Sequence, residues 1–192
     1  MDMLSQHFSR TSAPRKLANA VLFNISWFGI LITQSTVAAV AILVVHLFVH
    51  FTCISCNNRE WLLVAGVTMI GVLIDQLLFY LGVFTVNGEA ALAPLWLSCL
   101  WPVFATTLMH AFASLQHRVF LATVIGSVGG ALSYVAGTRL TDVDFASPLW
   151  GPVIIGVLWA MLFPMFLKCV PRAGEGVDSL QSWEPAARRA FD

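Results

Sequence analysis

Apolar residues occur along the chain in six long runs, and short polar segments separate each run from the next. The runs predict helices over about 17–33, 35–52, 61–84, 94–115, 119–138 and 149–170. Each run approaches the ~20 residues that a helix needs to cross a bilayer, and none alternates as the strands of a membrane barrel do. The pattern therefore predicts an all-α, polytopic membrane protein built as a bundle of six transmembrane helices.

The composition agrees with this prediction. Hydrophobic residues make up 58% of the 192 residues and charged residues only 10%, whereas soluble domains have about 25% charged residues. The formal net charge of zero argues against a nucleic-acid partner. We therefore expect membrane lipids as partners, and nothing in the sequence indicates an oligomeric state.

Two polar segments flank the predicted transmembrane domain, which extends over residues 17–170. Residues 1–16 are predicted to form a short N-terminal segment, and residues 171–192 a mobile C-terminal tail. A signal peptide is the alternative for the first apolar run. No small-residue cleavage site separates that run from the second, so we interpret it as a retained span.

Lys and Arg are concentrated on one side of the predicted bundle. Nine of the ten lie in segments on the same side as the N-terminus, and only Arg139 lies on the other side. Membrane proteins carry an excess of these residues in their cytoplasmic segments. We therefore predict that both termini are cytoplasmic.

One carboxylate, Asp75, is predicted to lie inside the hydrocarbon region, where an ionised side chain must pair, take up a proton or face water. At 1.5 Å per residue it lies about 21 Å from Trp61 along the third helix. Tyr134 reaches a similar height on the fifth helix, and Arg139 lies slightly higher. With two tryptophans of the fourth helix, these residues form a predicted outer polar cluster: Asp75, Trp96, Trp101, Tyr134 and Arg139.

The role of Asp75 has two interpretations at this stage. In a structural role, it is the ion-pair or hydrogen-bond partner of Arg139 or Tyr134 and joins the third and fifth helices. In a functional role, it is a carboxylate that binds a proton or a ligand. The sequence leaves both interpretations open and identifies no catalytic residue.

A second polar set is predicted in the half of the membrane nearer the N-terminus: Asn24, His46, His50 and His110. His46 and His50 are four residues apart on one helix face, a spacing that suits a metal ion. Cys53 and Cys56 follow them and have side chains of a suitable type. No second Cys-x2-Cys pair exists, and no carboxylate occurs nearby before Glu60. We therefore interpret the set as polar packing and predict no metal and no cofactor.

Small residues mark the places where membrane helices pack closely. The fifth predicted helix has Gly126 and Gly130 on one face, and the third has Thr68 and Gly71 on one face. We predict that these two faces meet inside the bundle. The contact would be either tight packing or the lining of a substrate path.

Many of these residues belong to a longer pattern. Its pieces are Asn19 to Trp27, Arg59-Glu60, Gly71-x3-Asp75, Pro94-x-Trp96-x3-Leu100-Trp101-x2-Phe104-Ala105, His110 and Gly130-x2-Ser133-Tyr134-x2-Gly137-x-Arg139-Leu140. Over about residues 17–170, the pattern resembles a family of small bacterial inner-membrane proteins, domain of unknown function twenty-eight seventy-eight.

The resemblance implies a location in the bacterial inner membrane and no established activity. The resemblance also implies a gene neighbourhood: genes of that family often lie beside genes for cyclopropane-fatty-acid-type methyltransferases and flavin oxidoreductases. This implies an accessory or scaffold role in membrane-lipid modification or membrane stress, with lipid-modifying enzymes as partners. Two alternatives stay open: a small transporter or permease subunit that uses Asp75, and a membrane enzyme with a site at Asp75, Tyr134 and Arg139.

Overall fold

The computed structural model describes residues 13–55, 57 and 59–170. The predicted C-terminal tail, 171–192, and residues 1–12 of the predicted N-terminal segment lie outside the described residues. Within the described ranges the chain is mostly helical, and it contains one short two-stranded sheet.

The elements follow one another in a simple order. They are α1 (Ala13–Thr33), α2 (Thr36–Val49), a π-helical turn (His50–Ile54), α3 (Glu60–Tyr80), β1 (Phe84–Val86), α4 (Leu95–Ser98), α5 (Leu100–Ala105), a 3-10 turn (Ala113–Leu115), α6 (Val119–Leu140), β2 (Val143–Phe145) and α7 (Trp150–Lys168). Within the described residues, five helices are long and apolar enough to cross a membrane: α1, α2 with its π turn, α3, α6 and α7. The predicted all-α class is therefore confirmed, and five helices of this length and apolarity suit a polytopic membrane protein. The first helix begins four residues earlier than predicted, inside the segment that we expected to precede it.

The fourth predicted helix, 94–115, is broken, so the count of six spanning helices is not confirmed. The short helices α4 and α5 occupy its first half, and turns occupy most of the second. Pro102 has no N–H and cannot complete the helical bonding near the break. Thr106 and Thr107 each donate their hydroxyl to the carbonyl three residues earlier, which competes with the bonding of a regular helix.

A side chain from α1 completes the backbone bonding of this broken segment. Asn19 donates its Nδ2–H to the carbonyl of Thr106 at 3.2 Å and accepts the N–H of Ala111 at 3.3 Å. An unpaired backbone group costs several kcal/mol where no water can reach it. Asn19 therefore stabilises an irregular segment inside the bundle.

The short sheet joins two connections at one end of the bundle. β1 pairs with β2 in the antiparallel direction, with Thr85 opposite Asp144. Gln34, between α1 and α2, reaches the same end, where it donates to the carbonyl of Leu140 at 3.3 Å and accepts the N–H of Asp142 at 3.0 Å. We call this the sheet end. The opposite end contains the α2–α3 connection and the start of α6.

The glycine face of α6 packs against α7 and not against α3. A Cβ atom at Gly126 would overlap Phe163, and one at Gly130 would overlap Trp159. The prediction that the small-residue faces of α3 and α6 meet is therefore wrong. Gly71 of α3 instead leaves room for the ring of Trp101 on α5. These three glycines therefore make space for aromatic rings on facing helices.

The outward faces of the helices are apolar, as expected for contact with lipid. Exposed examples on α2, α6 and α7 are Val37, Val44, Phe48, Phe120, Leu132, Val157 and Met161. In water such a surface would expose a continuous apolar area far larger than soluble monomers carry. The polar residues are found mainly inside the bundle and at its ends.

Candidate functional site

Asp75 lies in the half of α3 nearer the sheet end, and only 2% of its surface is exposed. The Nε1–H of Trp101 donates to its Oδ2 at 2.6 Å, and the hydroxyl of Tyr134 donates to its Oδ1 at 3.0 Å. Each carboxylate oxygen therefore has a hydrogen-bond donor. The structure brings together these three residues of the predicted outer cluster, from α3, α5 and α6.

The other two members of that cluster do not contact the Asp75 carboxylate: Arg139 lies apart from it, and Trp96 lies in the wall of a neighbouring cavity. Arg139 is exposed near the end of α6, and among the described residues no hydrogen bond or ion pair joins it to Asp75. Of the two partners considered for Asp75, the described structure therefore shows Tyr134 and not Arg139. A charged side chain near a helix end keeps its hydration by pointing to the interface. Trp96 of α4 is buried and lines the cavity described next.

A cavity of about 110 Å³ adjoins Asp75. Its wall is mostly aromatic and aliphatic, and none of the lining residues in the described chain is Lys, Arg or His. The polar lining groups are the Asp75 carboxylate, indole N–H groups and the hydroxyls of Tyr134 and its neighbours on α6. The cavity thus combines an apolar wall with a few convergent polar groups, as ligand sites generally do.

Burial differs around the cavity wall and indicates where it opens. Lining residues from α3 and α7, such as Phe79 and Trp159, are buried. Phe23 and Trp27 of α1 and Gly137 of α6 are only partly buried. Lining residues of α4 and α5 are partly buried as well. We infer an opening between α1 and α6, the two long helices that both contribute partly buried lining residues. Since the outward faces of this bundle are apolar, a membrane would place lipid at this opening.

Trp159 contributes an unpaired polar atom to the cavity wall. Its ring stacks on Trp101 with centroids 5.6 Å apart and lies beside Tyr134 at 6.5 Å. Its Nε1 is buried and has no hydrogen-bond partner among the described residues. The hydroxyl of Tyr134 is near enough to interact with this N–H but not in hydrogen-bond geometry. Buried donors are nearly always paired, so an acceptor oxygen on a bound molecule would complete the bonding of Nε1.

A second buried carboxylate, Glu60, begins α3 near the opposite end and is 0% exposed. The Nε2 of His50 lies 2.9 Å from its Oε1, and the Nε2 of His110 lies 3.1 and 3.2 Å from its two oxygens. Ser55 donates its hydroxyl to the other oxygen, Oε2. Two residues of the predicted inner set therefore meet at a carboxylate that was not part of that set.

His46 and Asn24, the other members of the inner set, lie elsewhere. His46 bonds through its two ring nitrogens to the hydroxyls of Ser26 at 2.8 Å and Thr106 at 3.0 Å. Asn24 is exposed and donates to a carbonyl of its own helix. The inward face of α1 carries Asn19 and Ser26, which are two helical turns apart. The prediction that Asn24 belongs to the inner polar set is therefore wrong.

Glu60 was missed because it stands beside Arg59 at the start of an apolar run, where a charged pair usually faces water. Its spacing from His50 was the available signal. Ten residues are enough for a tight connection between two antiparallel helices to bring both side chains together. Asn19 offered no comparable signal, since its partners belong to a distant broken helix.

The two clusters differ in the chemistry that they offer. The cavity presents a carboxylate and several donors to an apolar space. At Glu60, the ligand atoms of two histidines and one carboxylate all lie within 4.8 Å of one another, and these are ligand types that transition metals accept. Of the cysteines considered from the sequence, Cys53 is exposed, and Cys56 lies outside the described residues.

The family model described as "Protein of unknown function (DUF2878)" matches residues 16–165 of the chain. The chain belongs to this family. The match includes both carboxylate clusters and the residues that line the cavity, and it confirms the resemblance inferred from the sequence. No curated protein and no solved structure matches the chain.

The description of the DUF2878 family assigns no reaction or ligand to its members. The function of this DUF2878 member must therefore be argued from the geometry of its own residues. Of the two clusters, the one at Asp75 adjoins a cavity that a ligand can enter.

Proposed function

We propose that this DUF2878 member binds the hydrocarbon part of a membrane lipid in the cavity at Asp75. In this role it acts as an accessory protein in membrane-lipid modification, in the bacterial inner membrane and with both termini in the cytoplasm. The observation that carries the proposal is the aromatic cavity at Asp75, which has partly buried lining residues on α1 and α6. A ligand that enters there comes from the lipid phase and is largely apolar.

The size of the cavity supports a chain segment or a small ring rather than a whole lipid. Its volume is about 110 Å³, and an apolar cavity of about 150 Å³ in another protein holds benzene. A few methylene groups of an acyl chain would therefore fill it. The rest of the lipid would stay between α1 and α6 and in the bilayer.

The charges of the wall select against an anionic group at this depth. Among the described lining residues, Asp75 is the one with an ionisable carboxylate, and none is a cation. A free carboxylate or phosphate would lose its hydration without gaining a positive partner. A neutral oxygen is better suited, because the Nε1–H of Trp159 makes no hydrogen bond of good geometry with the described residues. We therefore favour an acyl segment, with or without a neutral oxygen.

A membrane enzyme is the second candidate, because Asp75 and Tyr134 converge on the cavity. Both oxygens of Asp75 already accept hydrogen bonds, and only 2% of its surface is exposed. That arrangement favours holding the wall together over proton transfer to a ligand. A permease would need a polar path to Glu60, about 22 Å away along α3. The buried α3 residues between them include Leu63, Val64 and Val67.

Two matched glycines on α6 test the proposal. A Cβ atom at Gly137 or at Gly129 meets no other atom within 4 Å, but only Gly137 lines the cavity. Gly137→Leu should fill the cavity, whereas Gly129→Leu should extend an exposed face. We expect mass spectrometry of protein purified in mild detergent to find bound lipid in the wild type and in Gly129→Leu, and much less in Gly137→Leu. Equal lipid in both variants would overturn the proposal.

The accessory role requires a second experiment. A deletion strain should differ from its parent in the modified acyl chains of its membrane lipids, and Gly129→Leu should restore the parental composition better than Gly137→Leu. An unchanged lipid composition in the deletion strain would contradict the accessory role while leaving lipid binding in place.

A further inference from the structure

We propose that His50, Glu60 and His110 bind one divalent transition-metal ion, with Zn²⁺ as the best match to the donors. The site lies near the opposite end of the bundle from the lipid cavity and does not depend on the function proposed there. It also departs from the sequence analysis, which considered a different set of ligands and expected no metal.

The donor atoms are spaced as ligands of a single ion. The Nε2 atoms of His50 and His110 lie 2.9 Å and 3.1 Å from Oε1 of Glu60, and all three ligand atoms lie within 4.8 Å of one another. Histidine and carboxylate ligands bind Zn²⁺ at about 2.1 Å in a tetrahedral arrangement, so neighbouring ligands stand about 3.4 Å apart. The two bonded pairs lie a few tenths of an ångström closer than this, and a shift of the two imidazoles would bring their Nε2 atoms to the same spacing around one ion.

Among the described residues, the cluster has a negative charge without a permanent positive partner. The salt bridges of Glu60 within the described residues are those to His50 and His110. Neither imidazole is obligatorily charged, and the three residues are between 0% and 5% exposed. Carboxylates buried to this extent are usually paired with a cation or coordinate a metal. A divalent ion would supply the positive charge.

The backbone near His50 is unusual in a way that serves the cluster. The helix after α2 widens into a π-helical turn that begins at His50 and ends at Ile54. Such turns are rare and occur frequently at functional sites. Here the turn ends beside Ser55, whose hydroxyl donates to Glu60. The three proposed ligands come from this turn, from the start of α3 and from the broken segment before α6, so an ion would connect three separate parts of the chain.

A hydrogen-bonded cage is the alternative that the experiment must separate from a metal site. In the cage, both imidazoles donate their Nε2–H to Glu60. Asn19 favours the cage, because its Nδ2 lies 3.4 Å from Nδ1 of His50 and can donate to it. In the metal form, each ring coordinates through Nε2 and keeps its proton on Nδ1. The Asn19 amide would then no longer donate to His50, and it would keep its bonds to Thr106 and Ala111.

The test uses protein purified in detergent with an affinity tag that contains no histidine. The wild type, Glu60→Gln and His110→Gln are each subjected to elemental analysis and titrated with Zn²⁺ and with Co²⁺. Co²⁺ is included because its visible absorption reports its ligands. His117→Gln is the matched control, because His117 is exposed and lies seven residues beyond His110. We expect one ion per chain in the wild type and the control, and blank levels in the two site variants.

Three results would overturn the proposal: two from the binding experiments and one from X-ray absorption. The first is a wild-type protein that binds neither ion and shows no change in its thermal midpoint with Zn²⁺. The second is retention of the ion by folded Glu60→Gln or His110→Gln. If these variants fail to fold, X-ray absorption of the wild-type metal complex decides instead. Two imidazole nitrogens and a carboxylate oxygen around the ion would support the site, and sulfur ligands or only water and buffer ligands would overturn it.

Discussion

At the scale of single residues, Asp75 is stabilised by hydrogen bonds from Trp101 and Tyr134 rather than by an ion pair. Neither donor is charged, so the pair of bonds holds α3, α5 and α6 together without burying a cation. The same two bonds orient Trp101 against Gly71 and Tyr134 toward the cavity. One carboxylate thus fixes two of the rings that shape the proposed lipid site.

Asp75→Asn should destabilise the protein, because the amide NH₂ group would face one of the two donors and leave it unpaired. An unsatisfied buried donor costs about 1–3 kcal/mol, although hydrogen bonds between membrane helices average about 0.6 kcal/mol. Thermal unfolding in detergent measures the loss. Tyr134→Phe added to Asp75→Asn should cost little more, because the two residues share one interaction.

Arg139→Gln is the control for this prediction. Since Arg139 is exposed and makes no described bond to Asp75, its substitution should leave the thermal midpoint within the experimental error. A stable Asp75→Asn protein that fails to complement a deletion strain would contradict the structural role. It would favour the enzyme or the permease.

Some of this cluster could be predicted from the sequence, because residue heights along straight helices follow from counting. Counting placed Asp75, Trp101 and Tyr134 near one another. It also placed Arg139 within reach, but height alone does not weigh hydration of the guanidinium against burial. The prediction for Asn24 was wrong for a different reason, since Asn24 lies on the outward face of α1 while Asn19 points inward.

At the scale of elements, α6 and α7 are held together by glycines that receive aromatic rings. The Cβ and Cγ atoms of Trp159 lie where a side chain at Gly130 would begin. Neither atom can move without moving the backbone of α7 or the stack with Trp101. The sequence revealed the glycine face but not its partner, because small residues show where helices approach and not which helix approaches.

Gly130→Ala and Gly129→Ala provide a matched pair for this contact. Gly130 meets Trp159, whereas a Cβ atom at Gly129 meets nothing within 4 Å. Overpacking costs about 1–3 kcal/mol, while replacing an exposed helical glycine with alanine can gain about 1 kcal/mol. We expect Gly130→Ala to lower the thermal midpoint and Gly129→Ala to keep or raise it. The reverse order would contradict the α6–α7 packing.

The break in the fourth predicted helix could not be predicted from the sequence. Pro102 and the neighbouring threonines weaken a helix there, yet proline and threonine are common inside membrane helices. What permits the break is Asn19, which pairs backbone groups of Thr106 and Ala111 from a different helix. A bond between residues almost ninety positions apart cannot be read from local patterns.

At the scale of the whole molecule, the two clusters lie toward opposite ends of one bundle. The lipid cavity is nearer the sheet end and the Glu60 cluster nearer the other. The charge bias predicts that the Glu60 end is cytoplasmic. Of the six described Lys and Arg residues, only Arg139 is near the sheet end, and the other five are near the Glu60 end: Arg15, Lys16, Arg59, Arg118 and Lys168. The proposed metal site would then be near the cytoplasmic face, and the cavity in the outer half of the membrane.

Labelling with a membrane-impermeant thiol reagent checks this orientation. In a protein without its native cysteines, single cysteines at Asn87 and Asp144 should be labelled in intact cells, because both residues belong to the connections at the sheet end. A cysteine at Asn57 should be labelled only after the cells are permeabilised. Labelling at Asn57 in intact cells, with protection at the other two positions, would show the opposite orientation.

Photocrosslinking in proteoliposomes tests the central claim, lipid entry between α1 and α6, most directly. The vesicles carry a phospholipid with a photoreactive group in the middle of one acyl chain, and peptide mapping locates the adducts. We predict adducts concentrated at Phe23, Trp27 and Ser133, which line the cavity and are partly buried. Adducts confined to outward residues such as Val44 and Phe120, with none in the cavity, would contradict the claim.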